Sequence, residues 1–531
     1  MIDKIEGVGD MGGSFTSSEK IEFPQGFKWG VSQSGFQFEM GDAYRRFIDT
    51  NTDWWHWVRD PYNISARLVS GDLPEDGINY AELYRRDHEI AYRLGLNTYR
   101  IGIEWSRIFP HPTWFVEVDV EYDGNGLIKS VKITEDTLRE LDKLASQSAL
   151  RFYRDIITDL RRLGFKVIVN LYHFTIPYWL HNPLRARETG LRKGPLGLLE
   201  HSFPVEFAKY AAYMAWKLSD IVDFWSTINE PMVPAELGYL WPQSGFPPGV
   251  NAPQSFPKAV TNLILAHSLA YDMVKKFDTV KADQDSDKAA HVGIIYNIVP
   301  VYGLSEGDEE AAEHHSYLHN DAFLTAITSG KLDLNLDQTT IVKPPLLGGR
   351  KLDWIGVNYY TRAVVKRLEP MHGNKIMDFA TVPGYGYACN PYGFSKIGRW
   401  CSAMGWEHYP EGLEKAVLIA RKYCENIYIT ENGISDPHDI YRPAYIVNHV
   451  YVLHKLIENG VSVKGYLHWA LLDNYEWAHG FRQRFGLYEV DLTTKERKPR
   501  PSAMIYKSIA ESNSIPKEYL KYLIEMKWDR A

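Results

Sequence analysis

Eight short, near-continuous apolar runs, separated by segments of helical periodicity, constrain this chain more than anything else in it. The runs fall at Phe27–Ser32, Thr98–Ile103, Lys166–Tyr172, Phe224–Asn229, His291–Val299, Trp354–Tyr359, Ile427–Thr430 and Val463–His468. A run such as Lys166-Val-Ile-Val-Asn-Leu-Tyr172 does not alternate polar with apolar residues, so both faces of its strand need cover, as in a parallel sheet. Helical patterns occupy Tyr80–Leu94, Thr137–Leu163, Phe203–Lys217, Pro257–Lys276, Glu309–Ser329, Glu411–Tyr423, Ala444–Asn459 and Ser502–Ser512. Gly95 and Gly164 stand within a residue or two of two helix ends, where a C-cap glycine belongs. The alternation predicts an α/β protein, a (β/α)8 TIM barrel with long βα loops.

A rule of about 150 residues per domain would divide the chain into three or four units, but a barrel passes 200 residues as one. Residues 23–531 therefore read as a single barrel domain behind a flexible N-terminal tail, 1–22. The 59 basic and 67 acidic residues leave a net charge of −8, which argues against nucleic acid as the partner. No uncharged apolar stretch of about 18 residues exists, so no membrane helix is expected. The tail, Met1–Glu22, lacks the apolar run of a signal peptide. Cys389, Cys401 and Cys424 are too sparse for a disulfide framework and read as small buried hydrophobes in a reducing compartment. Together these point to the cytoplasm. The sequon Asn63-Ile64-Ser65 is of the kind that chance supplies.

Segments 33–79, 104–136, 361–410 and 469–501 follow strands one, two, six and eight and are rich in Gly, Pro, Trp and Tyr. They lie on the βα side, where barrels build active sites. Asp278–Ala289 instead joins a helix to a strand and reads as a solvated turn on the opposite face. Strand four ends Ser226-Thr-Ile-Asn-Glu-Pro231 and strand seven ends Tyr428-Ile-Thr-Glu-Asn-Gly433, which aims Glu230 and Glu431 at the barrel mouth from opposite sides. Two carboxyl groups across a scissile bond, one neutral and one ionised, are what glycoside hydrolysis needs. Read alone, either Glu fits a solvated loop start equally well. So His173 alone fits a core histidine, Arg100 a buried ion pair, and Trp469 and Trp477 rim packing. Their shared face, with Gln33, Glu104, Asn358-Tyr359-Tyr360 and His468 also at strand ends, points to a site.

Thr227-Ile-Asn-Glu-Pro231 and Ile429-Thr-Glu-Asn-Gly433 resemble the two catalytic motifs of glycoside hydrolase family 1, the retaining β-glycosidases. Phe23-Pro-Gln-Gly-Phe-Lys-Trp-Gly30, Glu104-Trp-Ser-Arg-Ile108 and Asp473-Asn-Tyr-Glu-Trp477 resemble the family too, from about Phe23 to Ile509. Asn51-Thr-Asp-Trp54 through Ser70-Gly-Asp-Leu-Pro74, with the insert near 111–150, is most similar to the archaeal branch, whose members are often tetrameric and thermophilic. The resemblance implies Glu230 as acid/base and Glu431 as nucleophile, with Arg100 and Tyr360 keeping Glu431 ionised and oriented and Asn229 on the sugar 2-OH. It implies Gln33, His173, Asn358, Glu476 and Trp477 as further sugar contacts and Trp469 as a stacking floor. No metal and no organic cofactor is implied, and the partners are small β-glycosides and short oligosaccharides, with a homo-oligomer, tetramer or dimer, expected. Phe174 departs from the pattern, in which Trp usually follows the His, and so removes an indole N–H. Glu476, as a carboxylate, is expected to repel a 6-phosphate.

The expected activity is an exo-β-glycosidase acting on terminal β-D-glucosides and β-D-galactosides by double displacement. A non-catalytic sugar-binding barrel is the alternative, disfavoured because both Glu motifs are intact, and a metal-dependent barrel hydrolase lacks strand-end ligands beyond His173 and His468. Gly7-Val-Gly9-Asp-Met-Gly12 fits a dinucleotide motif without the strand before it or the helix after it. His314, His315 and His319 stand on a helix expected outside the barrel, with no further metal ligand implied. Ser305–Glu313 reads as a solvated acidic helix start.

Overall fold

In the computed structural model, which describes residues 20–369, 375–524 and 526, each apolar run forms a strand. They are β1 (Lys28–Ser32), β2 (Thr98–Gly102), β3 (Lys166–Asn170), β4 (Phe224–Asn229), β5 (His291–Asn297), β6 (Trp354–Asn358), β7 (Ile427–Asn432) and β8 (Val463–His468). They close in the order β6-β7-β8-β1-β2-β3-β4-β5, with every neighbouring pair parallel. Ile168, Phe224, Ile295, Trp354, Tyr428 and Leu467, from six of the strands, pack together as one buried cluster. Burying each such side chain contributes about 1.5–3 kcal/mol.

The helices α1 (Tyr80–Arg93), α2 (Gln147–Arg162), α3 (Phe203–Leu218), α4 (Phe256–Phe277), α5 (Ala322–Ser329), α6 (Glu411–Arg421), α7 (Arg442–Glu458) and α8 (Pro501–Ser512) pack outside the strands. Gly95 and Gly164 follow α1 and α2 with φ of 72° and 87°, the left-handed turn that glycine adopts without strain. The helix expected over Thr137–Leu163 is two helices. Glu135–Leu144 ends at Ala145, and the Ser146 hydroxyl accepts from the Ala149 N–H to cap α2. A good cap thus ends the apolar periodicity locally. The expected helix Glu309–Ser329 is interrupted by a π-helical turn at Tyr317–Asp321 between Glu309–Ser316 and α5.

Two further expectations change. Ile21–Glu22 pairs antiparallel with Ser514–Ile515, so the end of the expected tail is tied to the fold; residues 1–19, the Gly7–Gly12 motif included, lie outside the described residues. Cys389 and Cys401 form a disulfide, 12 positions apart with Cα atoms 6.3 Å from each other, while Cys424 is free and buried. The loop after β6 doubles back through the bridges Phe394↔Trp400 and Cys401↔Glu407, a closeness that spacing in sequence does not reveal. The reducing-compartment argument falls with it. Among the described residues no helix is long and apolar enough to cross a membrane.

The long βα loops are themselves structured. Segment 33–79 carries three short α-helices, and 104–136 carries the hairpin Asp119–Tyr122/Ile128–Lys132. In 361–410, Ala363–Arg367 pairs with Val301–Gly303 and Phe379–Thr381. These walls stand around the C-terminal end of the barrel.

Candidate active site

The strand ends that carry chemistry are irregular. The β4/β5 pairing shifts register between Ser226 and Asn229, and β6/β7 shifts between Val357 and Asn358, which sets Asn358 opposite Glu431. Bulges of this kind re-aim side chains next to active sites. Glu230, directly after β4, has φ of 49°, and Phe174 and Trp477 have 70° and 47°. Left-handed backbone in non-glycine residues costs of order 1–3 kcal/mol each and persists only where the surroundings enforce it.

Arg100 on β2 is fully buried and donates to Glu431 Oε1, while the Tyr360 hydroxyl donates to Oε2 at 2.6 Å. Both oxygens of Glu431 are therefore acceptors, the pattern of a carboxylate. Burial, and then the charge of Glu431, hold the Tyr360 hydroxyl well above its ordinary pKa, so it stays a donor. Glu230 has a different environment. Asn358 Nδ2 donates to its Oε1 at 2.7 Å, and burial followed by the charge of Glu431 pushes its pKa to about 8. One carboxyl is thus held protonated at neutral pH beside another that receives two donors.

Arg100 also orders the next pair. Its Nη2 donates to Asn229 Oδ1 at 2.8 Å and faces His173 Nδ1 at 3.2 Å. A guanidinium offers only donors, so His173 Nδ1 must accept and Nε2 must carry the ring proton. Burial, then Arg100, push the His173 pKa well below its ordinary value, consistent with a neutral ring. Asn229 Oδ1 also accepts from Asn358, so Asn229 Nδ2 is a donor. It stands 3.3 Å from His173 Nε2, donor facing donor. Neither satisfies the other, and together they suit one oxygen acceptor from a ligand.

His173, Glu230, Tyr360, Glu431, Trp469, Glu476 and Trp477 line one cavity of about 580 Å³. The Trp469 and Trp477 rings lie within 21° and 18° of the His173 plane, with centroids 6.1 and 5.6 Å away. Gln37 and the Trp469 indole N–H bond Glu476, and burial followed by Glu431 pushes Glu476 to about 8. Burial thus favours an uncharged acid there, which can donate as well as accept. Among the described residues that line the cavity there is no Lys or Arg to receive a phosphate.

Other expected residues stand behind this wall. Gln33 Oε1 accepts from Tyr99 at 2.8 Å. Asn358 spends its two N–H bonds on Asn229 and Glu230, and its Oδ1 accepts from Thr430, so it supports the acid instead of contacting a ligand. The sequence reading missed Gln37, which is four residues after Gln33 on the short helix Gly35–Phe38 and shows no periodic signal. It also missed the outer wall, Val233, Leu237, Trp241, Val299, Met404 and Trp406, of which only the aromatic character of segment 361–410 gave a sign. His315 and His319, expected outside the barrel, reach the cavity wall because the segment 301–321 folds over the strand ends. His315 stacks on Phe379 at 4.0 Å and 11°, and His314 bonds Asp378. Among the described residues no three His, Cys, Asp or Glu side chains group as metal ligands would.

Comparison with known proteins places the fold. The model for glycosyl hydrolase family 1 matches residues 19–122 and 142–515. A β-galactosidase of Pyrococcus woesei is 56% identical over 509 residues, covering 94% of this chain and 99% of that protein. The crystal structure of the β-glycosidase from Thermosphaera aggregans superposes with a TM-score of 0.86 at 43% identity, covering 95% of this chain and 100% of that one. A β-glucosidase mutant, described as derived from a hyperthermophilic tetrameric structure, gives 0.83 at 43% identity over 94% of this chain and 98% of that one. The barrel is thus that of a known lineage, and the chain belongs to glycosyl hydrolase family 1.

Proposed function

We propose that the cavity hydrolyses terminal, non-reducing β-D-glucosides and β-D-galactosides by double displacement. The observation that carries this reading is the pair of carboxyl groups, Glu431 accepting from Arg100 and Tyr360 and Glu230 with its pKa raised to about 8, protonated at neutral pH. Glu431 attacks the anomeric carbon while Glu230 gives its proton to the leaving oxygen. The glycosyl–Glu431 ester then forms, and Glu230, now a carboxylate, takes a proton from the water that releases the sugar. Asn229 Nδ2 and His173 Nε2 converge on a sugar hydroxyl, Trp469 gives the ring a flat face, and Glu476 with Trp477 serves the far hydroxyls. Trp477 is itself packed into the buried cluster of Phe36, Trp54 and Phe246, which holds that end of the cavity rigid. Homo-oligomeric assembly is part of the proposal, supported by a similar structure described as tetrameric in origin.

An uncharged Glu476 can donate to one configuration at C4 and accept from the other, so aryl β-glucosides and β-galactosides should be hydrolysed within about tenfold in kcat/KM, or 1.4 kcal/mol. The rates should survive exhaustive treatment with a chelator. Discrimination beyond about a thousandfold, preference for 6-phosphorylated sugars, or loss with the chelator and recovery with zinc would contradict the reading.

A further inference from the structure

His319 is a buried histidine beside the acid, and its surroundings give it one protonation state. Its Nδ1 lies 3.0 Å from both carboxylate oxygens of Glu236, and its Nε2 lies 2.9 Å from the main-chain carbonyl of Asn297. The carbonyl can only accept, so Nε2 donates; burial opposes a charge on the ring, but Glu236 beside Nδ1 outweighs it and raises the His319 pKa, which favours an imidazolium donating from both nitrogens. The Tyr296 hydroxyl donates to the His319 carbonyl at 2.7 Å and pins the π-helical turn that carries it. Such turns often mark functional positions.

The pair is linked to the acid by two routes. Glu236 belongs to the helix Met232–Tyr239, which starts two residues after Glu230, and Asn297 ends β5, where its Nδ2 donates to the Asn358 carbonyl. Asn358 in turn donates to Glu230. We propose that the His319–Glu236 ion pair is a positioning element of the reaction, whose imidazolium holds Glu230 in place and sets the alkaline limit of the activity. The inference rests on Glu230 being the acid/base.

The charges around Glu230 act in opposite directions. Burial and the Glu431 carboxylate favour its neutral form, while Asn358, Arg100 and His319 favour its ionised form; Tyr360 and Tyr387 also face it as neutral phenols. Around His319, burial opposes the charge and is outweighed by Glu236, with His315 neutral beside it. Removing the cation therefore makes Glu230 harder to ionise.

The test is the pH profile of kcat/KM on an aryl β-glucoside. In Glu230→Gln the alkaline limb should vanish; a limb that persists overturns the acid/base reading and this proposal with it. The variant His319→Gln keeps a hydrogen-bonding side chain beside an intact Glu236 and removes only the cation. Its alkaline limb should move up by about half a pH unit or more, with the acid limb in place. A limb that stays, or moves down, overturns the proposal alone, because a merely structural contact would lower the plateau without moving one limb. His319→Lys, which retains a cation beside Glu236, covers failure of that variant to fold: its limb should lie within about 0.2 unit of the parent, and a shift of about half a unit or more contradicts the proposal.

Discussion

The two walls of the cavity are built on opposite terms. The inner wall grows from strand ends, and its polar groups are already bonded to one another: Arg100 to Glu431 and Asn229, Asn358 to Asn229 and Glu230, Trp469 and Gln37 to Glu476. The outer wall comes from loops and short helices and offers Val233, Leu237, Trp241, Val299, Met404 and Trp406, which supply area with little direction. A site built on hydrogen bonds rejects a ligand that leaves a partner unpaired by about 10⁴-fold or more, whereas an apolar wall discriminates by about 10–200-fold per methylene. Selectivity for the sugar should therefore reside inside, and tolerance toward the leaving group outside.

The inner wall breaks most sharply at Arg100. Arg100→Met keeps the length but leaves Glu431 buried without its cation, and strips one donor each from His173 and Asn229. We expect a loss of about 3–5 kcal/mol in unfolding free energy and of about a thousandfold in kcat/KM. Denaturant unfolding and steady-state kinetics read the two separately, and near-parental values for both would show that the network does not organise the site.

At the outer wall, Trp406 packs on Tyr360 at 5.2 Å and on Tyr387 at 5.1 Å. Trp406→Ala should raise KM for aryl glycosides about tenfold and leave methyl glycosides within about twofold. An equal loss on both would place Trp406 in the inner wall's work.

The smallest effect on activity is expected at the disulfide. Opening Cys389–Cys401 with Cys389→Ser frees a loop of 12 residues' separation and should lower stability by up to about 3 kcal/mol. The kcat on a methyl glycoside should change by less than about twofold, since no inner-wall group depends on that loop for its hydrogen bonds. A larger fall in kcat would erase the distinction between the walls.

The same division explains what the sequence made legible. The barrel strands announce themselves because parallel strands buried on both faces must be apolar throughout, as in Lys166–Asn170. Glu230 and Glu431 are legible because one directly follows its apolar strand and the other stands next to last in its own, with Pro231 or Gly433 turning the chain. A Cβ at Gly433 would collide with the Trp469 carbonyl, so even that glycine answers to the site. The outer wall is illegible because loop residues obey no period and meet only through tertiary packing. His319 and Glu236 are 83 positions apart, and no local pattern pairs them. Cys389 and Cys401 are near in sequence, yet only the fold-back of their loop shows that they meet. Asn358 was legible as a strand-end residue but not in its role, since that depends on a register shift invisible to a pattern of apolar residues.

The central claim is the division of labour between Glu230 and Glu431, and the configuration of azide products tests it most directly. With Glu230→Ala and a substrate carrying a good leaving group, Glu431 still forms the glycosyl-enzyme, and azide attacking that ester should give the β-glycosyl azide. With Glu431→Ala, azide entering the vacated face should give the α-glycosyl azide instead. Proton NMR of the products distinguishes the two anomers. The account predicts retention in the first variant and inversion in the second; the reverse pattern would exchange the two roles, and parental activity in both variants would place the catalytic pair elsewhere.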